Sequence, residues 1–349
     1  KTSKTQWQTQ NTTETIIHTR RCANRNPCTP RSVNMRILVT GATGFIGSHL
    51  VHQLLREEHD VGIIKRPTSK TWRIMDILDQ LTVFETDLQD LCKIQDAVEI
   101  FKPDVVFHLA THYVTEHTPA DIKPLYETNV LGTVNLLDSM IDSTVKLFVN
   151  TSSCFVYGSG SCSNKDQHMS EGDFLNPSNL YALTKVQGEE ACSYYAERYG
   201  VKCVTLRLFP PYGEWDNERK LIPFVIRKMI DGEELQLTSC KQKWDFTYID
   251  DVIGAYMKVL FILEFSEKHE IFNIGTGYAP SIKRVVLMIK DILGSNIKPK
   301  FGAIPHRNNE VWHTCADASA AQKNLDWTPK TKLKEGLRKT VRWYQEGKG

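Results

Sequence analysis

Residues Met35 to Glu58 read MRILVTGATGFIGSHLVHQLLREE. The stretch passes from an apolar run, through a glycine-rich turn, into a segment whose apolar residues Ile46, Leu50 and Leu54 recur at helical spacing. A glycine pattern alone is weak evidence for a ligand, but a strand, a turn and a helix follow here in the order of a dinucleotide-binding unit. The stretch therefore predicts the first β–α unit of a sheet that binds such a cofactor.

The three glycines of this turn have different expected tasks. Gly41 permits the tight turn, Gly44 lets backbone amides approach a pyrophosphate, and Gly47 allows the helix to pack closely. The helix begins near Phe45 and Ile46, and its N-terminus adds a positive dipole that favours phosphate. We expect these five residues to bind the cofactor; a glycine turn without a ligand is the alternative.

The end of the next strand, which we expect within HDVGIIKRPTSK, indicates which dinucleotide binds. An acidic residue there would accept hydrogen bonds from the adenosine ribose, but this chain has Lys65 and Arg66. Cations suit the 2′-phosphate of NADP, so NADP is favoured, with NAD still possible and solvated surface charges the alternative. After the short strand LTVFET, Asp87 and Leu88 are expected to hold the adenine edge.

Strand-like runs and helical segments alternate along the rest of the chain. The strand-like runs are VVFHLA from Val105, KLFVNTSS from Lys146 and VKCVTLRLF from Val201. This alternation predicts an α/β fold with a Rossmann-type, doubly wound parallel sheet. Ligands of such sheets lie beyond the carboxyl ends of the strands, so the chemistry is expected near the ends of these runs.

A serine, a tyrosine and a lysine form the expected catalytic set. Ser153 ends one strand-like run, and Tyr181 and Lys185 stand one turn apart in the predicted helix NLYALTKVQGEEA. The lysine cation, with the positive nicotinamide of an oxidised cofactor, should favour a phenolate at neutral pH. Tyr181 would exchange a proton with the substrate, Ser153 would bind the same oxygen, and Lys185 would bind the nicotinamide ribose. A packed tyrosine beside a surface lysine is the alternative.

Composition argues against several other classes of protein. The 43 Lys and Arg residues nearly balance 41 Asp and Glu residues, and no basic block suits a nucleic acid. The 9 cysteines form no CxxC pair and no zinc-like cluster with histidine, so we expect reduced thiols, a cytoplasmic location and no metal. No apolar stretch approaches the roughly 20 residues that span a bilayer, which predicts a soluble protein without a membrane partner.

Residues 1–34 differ from the rest of the chain. They are rich in Thr, Asn and Arg, and Glu14 is their one acidic residue. We expect a disordered leader or an artefact of the gene model. A transit peptide is the alternative, because such peptides are rich in arginine and poor in acids.

In their order along the chain, these motifs resemble the extended short-chain dehydrogenase/reductase family, which contains nucleotide-sugar epimerases, dehydratases and reductases. The resemblance runs from Met35 to about Trp343 and rests on TGATGFIG, TDL, HLA, TNVLGT, TSSCFVYG, YALTK, LRLFPPYG, KWDFTYIDDV, FNIGTG and CADASAAQKNLDWTP. It implies a homodimer built from two helices of each subunit, around Asn129 to Met140 and Leu180 to Tyr199. It also implies further cofactor contacts at Leu109, Ala110, Thr111, Asn129 and Phe209.

The expected domain division follows the same resemblance. Residues 35–206 and 245–276, with strands near Asp245 to Gly254 and Glu270 to Thr276, should form the NADP-binding Rossmann domain. Residues 207–244 and 277–345 should form a smaller α/β substrate domain that closes over the sugar.

The sequence also narrows the reaction. In related dehydratases and decarboxylases, acids follow the strand-end Ser or Thr, whereas Cys154 and Phe155 stand here, so dehydration is not expected. Epimerases of this family generally retain NAD through the whole reaction. The predicted NADP instead indicates a cofactor that is oxidised once for each substrate, as in a reductase. We therefore expect an NADPH-dependent keto-reductase of a nucleotide-linked deoxysugar. One alternative is a nucleotide-sugar 4-epimerase with retained NAD. The other is a non-catalytic NADP(H) sensor, but a sensor would not need the intact catalytic set.

The expected substrate contacts depart from the family pattern. Pro210 and Lys220 replace two family asparagines, and Trp244 replaces an arginine, while Arg307 matches a family arginine that grips the diphosphate. The segment HLATHYVTEHTPADI resembles that of enzymes that act on CDP- or dTDP-linked deoxysugars. A ketone or aldehyde that is not a sugar is the alternative substrate. The expected substrate contacts are Ser153, Cys154, Lys220, Leu221, Trp244 and Arg307.

Overall fold

The computed structural model describes residues 34–158, 168–261 and 267–347, so the expectations for residues 1–34 lie, apart from Asn34, outside the described residues. The strands are β1 Arg36–Thr40, β2 Asp60–Lys65, β3 Thr82–Glu85, β4 Val105–His108, β5 Leu147–Ser153, β6 Cys203–Leu208, β7 Pro211–Tyr212, β8 Gln236–Leu237, β9 Lys243–Trp244, β10 Thr247–Tyr248, β11 His269–Ile274, β12 Lys300–Phe301 and β13 His313–Thr314.

Seven of these strands form one parallel sheet in the order β11-β6-β5-β4-β1-β2-β3. The chain builds outward from β1 to β3 and then returns to place β4 on the other side of β1, with Ile37 of β1 paired to both Val61 and Val105. The strand order thus reverses between β1 and β4, and ligands of open α/β sheets bind at such a point. The predicted Rossmann-type α/β fold is confirmed.

The strands are apolar almost throughout because helices cover both faces of the sheet. The helices are α1 Phe45–Arg56, α2 Leu91–Phe101, α3 Pro119–Tyr126, α4 Gly132–Asp138, α5 Leu180–Tyr199, α6 Leu221–Ile230, α7 Ile249–Val259, α8 Ile282–Leu293, α9 Ser319–Leu325 and α10 Leu333–Gln345. Ile37 and Val39 of β1 join the hydrophobic cluster that contains residues of α1 and α7, whereas Leu38 between them joins the cluster of α2, α4 and α5. This alternation is the period of a strand with a core on each side.

Helix α5 positions two of the predicted catalytic residues. It begins after Asn179, whose side chain accepts a hydrogen bond from the Ala182 N–H at 2.8 Å, and it ends at Gly200 with a left-handed φ of +75°. Both are usual helix-terminating devices. Tyr181 therefore lies in the first turn, and Lys185 lies one turn further along the face that packs on β5.

The segment near Asp245 to Gly254 was expected to add a strand to the large sheet, and this prediction is wrong. Only Thr247–Tyr248 is extended, and it pairs with Pro211–Tyr212 instead. The following residues form α7, whose first turn carries Asp250 and Asp251, where acids favour the helix dipole. The expected strand near Glu270 is present as the edge strand β11.

The short strands outside the large sheet pair with one another, β8 with β12 and β9 with β13. They lie in residues 207–244 and 277–345, where the substrate domain was predicted. Its separation from the cofactor domain stays a prediction.

Candidate active site

The glycine-rich turn lies tightly against the end of β4. Gly41 has a φ of +73°, and a Cβ atom on it would stand 2.5 Å from the Ala110 nitrogen. A Cβ on Gly47 would stand 2.2 Å from the Gly41 carbonyl oxygen, while the Gly44 N–H donates to that oxygen at 2.9 Å. Helix α1 then begins at Phe45 without a side-chain cap, which leaves its first N–H groups for an anion. The turn has the shape that a pyrophosphate needs.

Gly47→Ala should weaken dinucleotide binding strongly. Its methyl group would collide with the Gly41 carbonyl oxygen at 2.2 Å, so the turn would have to move. Overpacking of this size corresponds to about a 5- to 150-fold rise in the dissociation constant of the dinucleotide, measured by fluorescence titration with NADPH and with NADH. Gly172→Ala is the matched control, because its Cβ would meet nothing within 4 Å. Equal affinity of the two variants would contradict a role of this turn in cofactor binding.

The two cations predicted for the 2′-phosphate differ in the structure. The Lys65 ammonium forms an ion pair with Glu85 at 2.8 Å, in the register that pairs β2 with β3. Arg66 is exposed, and its backbone N–H donates to the Ser69 hydroxyl at 3.2 Å. Lys65 is therefore already paired with a carboxylate, and Arg66 is the cation that faces solvent at this strand end.

The residues predicted for the adenine edge are held by protein groups. The Asp87 carboxylate accepts a hydrogen bond from the Gln89 N–H at 3.1 Å, and the Leu88 carbonyl accepts one from the Asn135 side chain at 2.8 Å. The Leu88 side chain is buried in the core and packs at Gly132, where a Cβ would stand 2.9 Å from it. Leu88 thus supports this corner of the fold.

The structure brings Ser153, Tyr181 and Lys185 together at the carboxyl end of β5. The Lys185 ammonium donates to the Thr151 carbonyl at 2.9 Å and lies 6.0 Å from the centre of the Tyr181 ring. The Ser153 hydroxyl accepts a hydrogen bond from the Phe155 N–H at 3.2 Å, and its interaction with the Tyr181 phenol lowers the pKa of that phenol. Tyr181 and Lys185 are only 7% and 5% exposed. The grouping is the one that proton transfer to a bound oxygen requires.

The protein groups around Tyr181 shift the pKa of its phenol. Burial raises this pKa well above its ordinary value, and Tyr113 and Cys154 raise it further, against an interaction with Ser153 that lowers it. Burial also lowers the pKa of Lys185 to about 8, although the Glu189 carboxylate opposes this. The protein groups alone therefore favour the protonated phenol. The predicted phenolate depends in addition on the positive nicotinamide of the oxidised cofactor and stays a prediction.

Asn129 has all four hydrogen-bonding positions of its side-chain amide filled by the protein. Its Oδ1 accepts from the Thr111 hydroxyl at 3.0 Å and the His112 N–H at 2.7 Å, and its Nδ2 donates to the His112 carbonyl and to the Thr184 hydroxyl at 2.9 Å. Asn129 lies in a π-helical turn, Glu127–Leu131, which joins α3 to α4. It fastens the loop after β4 to α5, directly beside Lys185.

The other residues predicted at the cofactor are buried or flank the glycine turn. Leu109 and Ala110 meet Gly41, and Thr111 points its hydroxyl at Asn129. Phe209 is fully buried in a small hydrophobic cluster that also holds Cys154. Burial raises the pKa of the Cys154 thiol well above its ordinary value. The side chains of Phe209 and Cys154 therefore pack inside the protein.

Of the predicted substrate contacts, Trp244 and Arg307 line one pocket, together with Phe155 and Asn179. The Trp244 indole N–H donates to the Val311 carbonyl at 2.7 Å. Arg307 is half-exposed and forms an ion pair with Glu116 at 3.9 Å. The remaining lining residues are Thr115, Glu116, Asn309, Glu310 and Val311.

Lys220 lies on another side of the candidate site. Its ammonium pairs with the buried Asp216 at 3.0 Å and stands 5.3 Å from the centre of the Phe45 ring and 5.9 Å from that of Tyr113. The Tyr113 ring meets Tyr181 edge to face at 4.9 Å. Lys220 therefore connects the start of α1 with the surroundings of Tyr181. Its neighbour Leu221 packs against the main core.

Sequence reasoning missed a buried ion pair behind the catalytic set. Arg207 of β6 pairs with Glu189 of α5 at 2.6 Å, and the Ser152 hydroxyl donates to the same carboxylate. Arg207 also donates to the Tyr157 hydroxyl at 2.9 Å. The sequence contains two signals for this pair. An arginine inside an apolar strand needs a buried partner, and Glu189 lies one helical turn after Lys185, on the same face of α5.

The sequence analysis also missed Asp245, a buried carboxylate that accepts hydrogen bonds from several turns. It accepts hydrogen bonds from the N–H groups of Thr276 at 3.0 Å, Gly277 at 2.8 Å and Ala316 at 3.1 Å. Burial nevertheless raises its pKa above the ordinary value. Asp245 ties the end of β11 to the segment after β13, next to the pocket residue Trp244.

Among the described residues, no group of His, Cys, Asp and Glu side chains could hold a metal ion. No helix in the described ranges is long and apolar enough to cross a membrane.

Comparisons with known proteins agree with this geometry. A curated relative, CDP-abequose synthase from Salmonella muenchen, is 33% identical over 310 residues, which cover 88% of this chain and 98% of the relative. The solved structure of UDP-glucose 4-epimerase from Thermotoga maritima with UDP-glucose superposes with a TM-score of 0.82 at 26% identity, covering 90% of this chain and all of that one. That of MoeE5 with UDP-glucuronic acid and NAD gives 0.79 at 31% identity, covering 89% and 99%.

The family assignment follows from a match to most of the chain. Residues 37–275 fit the sequence model of the NAD dependent epimerase/dehydratase family, and they include the glycine turn and all three residues of the predicted catalytic set. The relatives extend the similarity over nearly the whole chain. The chain therefore belongs to the NAD dependent epimerase/dehydratase family and is an NAD(P)-dependent enzyme.

Proposed function

We propose that the enzyme is an NADPH-dependent keto-reductase that acts on a nucleotide-linked deoxysugar. The observation that carries this proposal is the grouping of Ser153, Lys185 and the buried phenol of Tyr181 at the carboxyl edge of the sheet. Reduction of a carbonyl needs a proton donor at the oxygen, and a phenol with a raised pKa holds its proton until the oxygen becomes negative. The similarity to CDP-abequose synthase supports a sugar nucleotide as the substrate class.

The residues present fit a dinucleotide. A Cβ at Gly41 would collide with the residues that follow β4, a Cβ at Gly47 would collide with the Gly41 carbonyl group, and the N-terminus of α1 carries no side-chain cap. Bound NADPH would supply the hydride that reduces the carbonyl carbon. Arg66 would bind its 2′-phosphate and Lys185 the ribose of its nicotinamide.

The protein groups would then act on the carbonyl oxygen. Ser153 would donate a hydrogen bond to it, and Tyr181 would transfer its phenolic proton as the carbon accepts the hydride, which yields an alcohol. The Lys185 ammonium, fixed on the Thr151 carbonyl, would stabilise the phenolate left behind. Arg307 and Lys220 would neutralise the substrate diphosphate.

Arg66→Asp is expected to raise the dissociation constant of NADPH about 10- to 150-fold and to leave that of NADH nearly unchanged. The reason is the loss of one charge-assisted hydrogen bond to the 2′-phosphate and the arrival of a like charge. Fluorescence titration of both cofactors measures the effect. Arg338→Asp, on the exposed side of α10, controls for the change in net charge. Equal affinities of the unaltered enzyme for NADPH and NADH would contradict the NADP preference.

A 4-epimerase with retained NAD is the second candidate function. Two observations favour it: the similar UDP-glucose 4-epimerase, and the Lys65–Glu85 ion pair, which leaves one cation fewer for a 2′-phosphate. The solved MoeE5 complex also contains NAD. Extraction and identification of any dinucleotide that co-purifies with the protein separates the two functions.

The test of the proposed function is turnover with defined sugars. Oxidation of NADPH is followed at 340 nm with CDP- and dTDP-linked 4-keto-6-deoxyhexoses and with simple ketones and aldehydes. Oxidation that depends on the sugar nucleotide supports the proposal. Oxidation of NADPH with the simple ketones and aldehydes alone would show that the substrate is not a sugar nucleotide. If NADPH binds but none of these compounds oxidises it, the result would favour a sensor.

We also propose a homodimer formed through α4, α5 and their neighbours. Large apolar side chains lie exposed on these elements, including Tyr194 at 56% and Leu131 at 44%. Tyr194, Tyr195 and Tyr199 form a cluster with ring centres 5.3 to 6.0 Å apart. Exposed apolar patches of this kind suit an interface. The predicted cytoplasmic location rests on composition alone.

A further inference from the structure

The pocket lined by Phe155, Trp244 and Arg307 opens beside the candidate catalytic residues. Phe155 lies two positions after Ser153, and Asn179 lies two positions before Tyr181. A third lining residue, Thr115, lies two positions after Tyr113, whose ring contacts that of Tyr181 at 4.9 Å. Three separate segments therefore lead from the catalytic set into this pocket. The pocket is therefore close enough to the catalytic set to receive carbon atoms that neighbour a carbonyl group at Tyr181.

One wall of the pocket offers no hydrogen bond. The Phe155 and Trp244 rings meet edge to face with their centres 5.8 Å apart, and Phe246 backs Trp244 at 6.2 Å. The polar atom of the Trp244 indole donates to the Val311 carbonyl at 2.7 Å, so only its carbon surface faces the pocket. The wall therefore consists of aromatic carbon atoms.

The wall is fixed relative to the reacting oxygen. Phe155 belongs to a single 3₁₀ turn, Cys154–Tyr157, that starts directly at Ser153, and its N–H donates to the Ser153 hydroxyl at 3.2 Å. Trp244 precedes Asp245, whose carboxylate is anchored by the N–H groups of Thr276 and Gly277. These bonds fix the backbone segments that carry the two rings.

The other residues that line the pocket are mostly polar or charged. They include Arg307, Glu116, Asn309 and Glu310, and the Arg307–Glu116 ion pair of 3.9 Å joins the loops that carry these two residues. Arg307 offers a cation to a substrate diphosphate, and the carboxylates and the amide offer acceptors to substrate hydroxyls. A hydroxyl turned towards the aromatic wall would lose its water without gaining a partner.

We infer that Phe155 and Trp244 select a substrate whose carbon next to the reacting carbonyl group, or one carbon further, lacks its hydroxyl. A methyl or methylene group packs on the aromatic wall, whereas a hydroxyl at the same place is excluded. This inference rests on the proposed function and assigns these two residues as the determinants of deoxysugar specificity. The expected preference for the deoxygenated sugar is about 10- to 100-fold in kcat/KM.

The test compares matched pairs of dTDP- or CDP-linked 4-keto sugars that differ by one hydroxyl, at C6 in one pair and at C3 in the other. The unaltered enzyme should prefer the deoxygenated member of at least one pair by 10-fold or more. Phe155→Asn should reduce that preference at least threefold by placing an amide in the wall, whereas Phe155→Leu should keep it. NADPH titration shows that both variants retain the cofactor site.

The outcomes separate this inference from the proposed function. Turnover of both members of each pair at equal kcat/KM would overturn the aromatic selection and leave the reductase standing. A preference that Phe155→Asn does not change would also overturn it. If no sugar oxidises NADPH, calorimetric binding of dTDP-linked hexose and 6-deoxyhexose still decides: tighter binding of the deoxysugar, lost in Phe155→Asn, supports the wall, and equal binding refutes it.

Discussion

Tyr181→Phe is expected to lower kcat by about 10²- to 10⁴-fold, the usual contribution of a positioned proton donor. The change removes the phenolic hydroxyl but keeps the ring, whose edge-to-face contact with Tyr113 at 4.9 Å should persist. The affinity for NADPH should therefore change little. Steady-state kinetics with the sugar nucleotide and fluorescence titration of NADPH measure the two quantities.

Tyr194→Phe is the matched control for this experiment. Tyr194 lies on the same helix, α5, but is 56% exposed. The control should retain the full kcat. Unchanged turnover in Tyr181→Phe, or loss of NADPH binding together with turnover, would contradict the proposed proton donor.

Arg207→Met is expected to lower the free energy of unfolding by about 3 to 5 kcal/mol, because it leaves the Glu189 carboxylate buried without its cation. Both partners are almost inaccessible, at 2% for Arg207 and 3% for Glu189. Their ion pair of 2.6 Å joins β6 to α5, and Ser152 donates to the same carboxylate from β5. Urea denaturation measures the loss of stability.

Two further variants make the Arg207 prediction specific. The double variant Arg207→Met with Glu189→Leu should recover most of the stability, because it leaves no unpaired charge in the core. Lys300→Met breaks the exposed ion pair with Glu234 and should cost at most about 1 kcal/mol. A double variant as unstable as the single one would show that packing, and not charge, dominates at this position.

The glycine turn and the large sheet could be predicted because their signals are local. Apolar strands of four to seven residues and helices with a regular apolar period repeat along the chain, and each unit is readable by itself. The short strands β7 to β10, β12 and β13 could not be predicted in this way. A strand of two residues has no period, and its pairing, such as Thr247 with Pro211, depends on tertiary contacts.

The catalytic set could be located from sequence, but its electrostatics could not. The spacing of Tyr181 and Lys185 places both on one helical face, whereas the burial that raises the pKa of Tyr181 depends on packed neighbours far away in sequence. The Lys65–Glu85 ion pair could not be predicted either, because it depends on the register between β2 and β3. Arg207 and Glu189 each carry a local signal, but only the fold shows that they meet.

The most direct test of the account is to follow the hydride. The enzyme is incubated with NADPH in which both hydrogens at C4 of the nicotinamide are replaced by deuterium and with a dTDP- or CDP-linked 4-keto-6-deoxyhexose, and the sugar product is analysed by mass spectrometry. The account predicts one deuterium in each product molecule and one NADP⁺ formed for each sugar reduced. A keto sugar that acquires no deuterium, on an enzyme that retains NAD and interconverts the corresponding 4-hydroxy sugar nucleotides, would contradict the reductase and establish an epimerase.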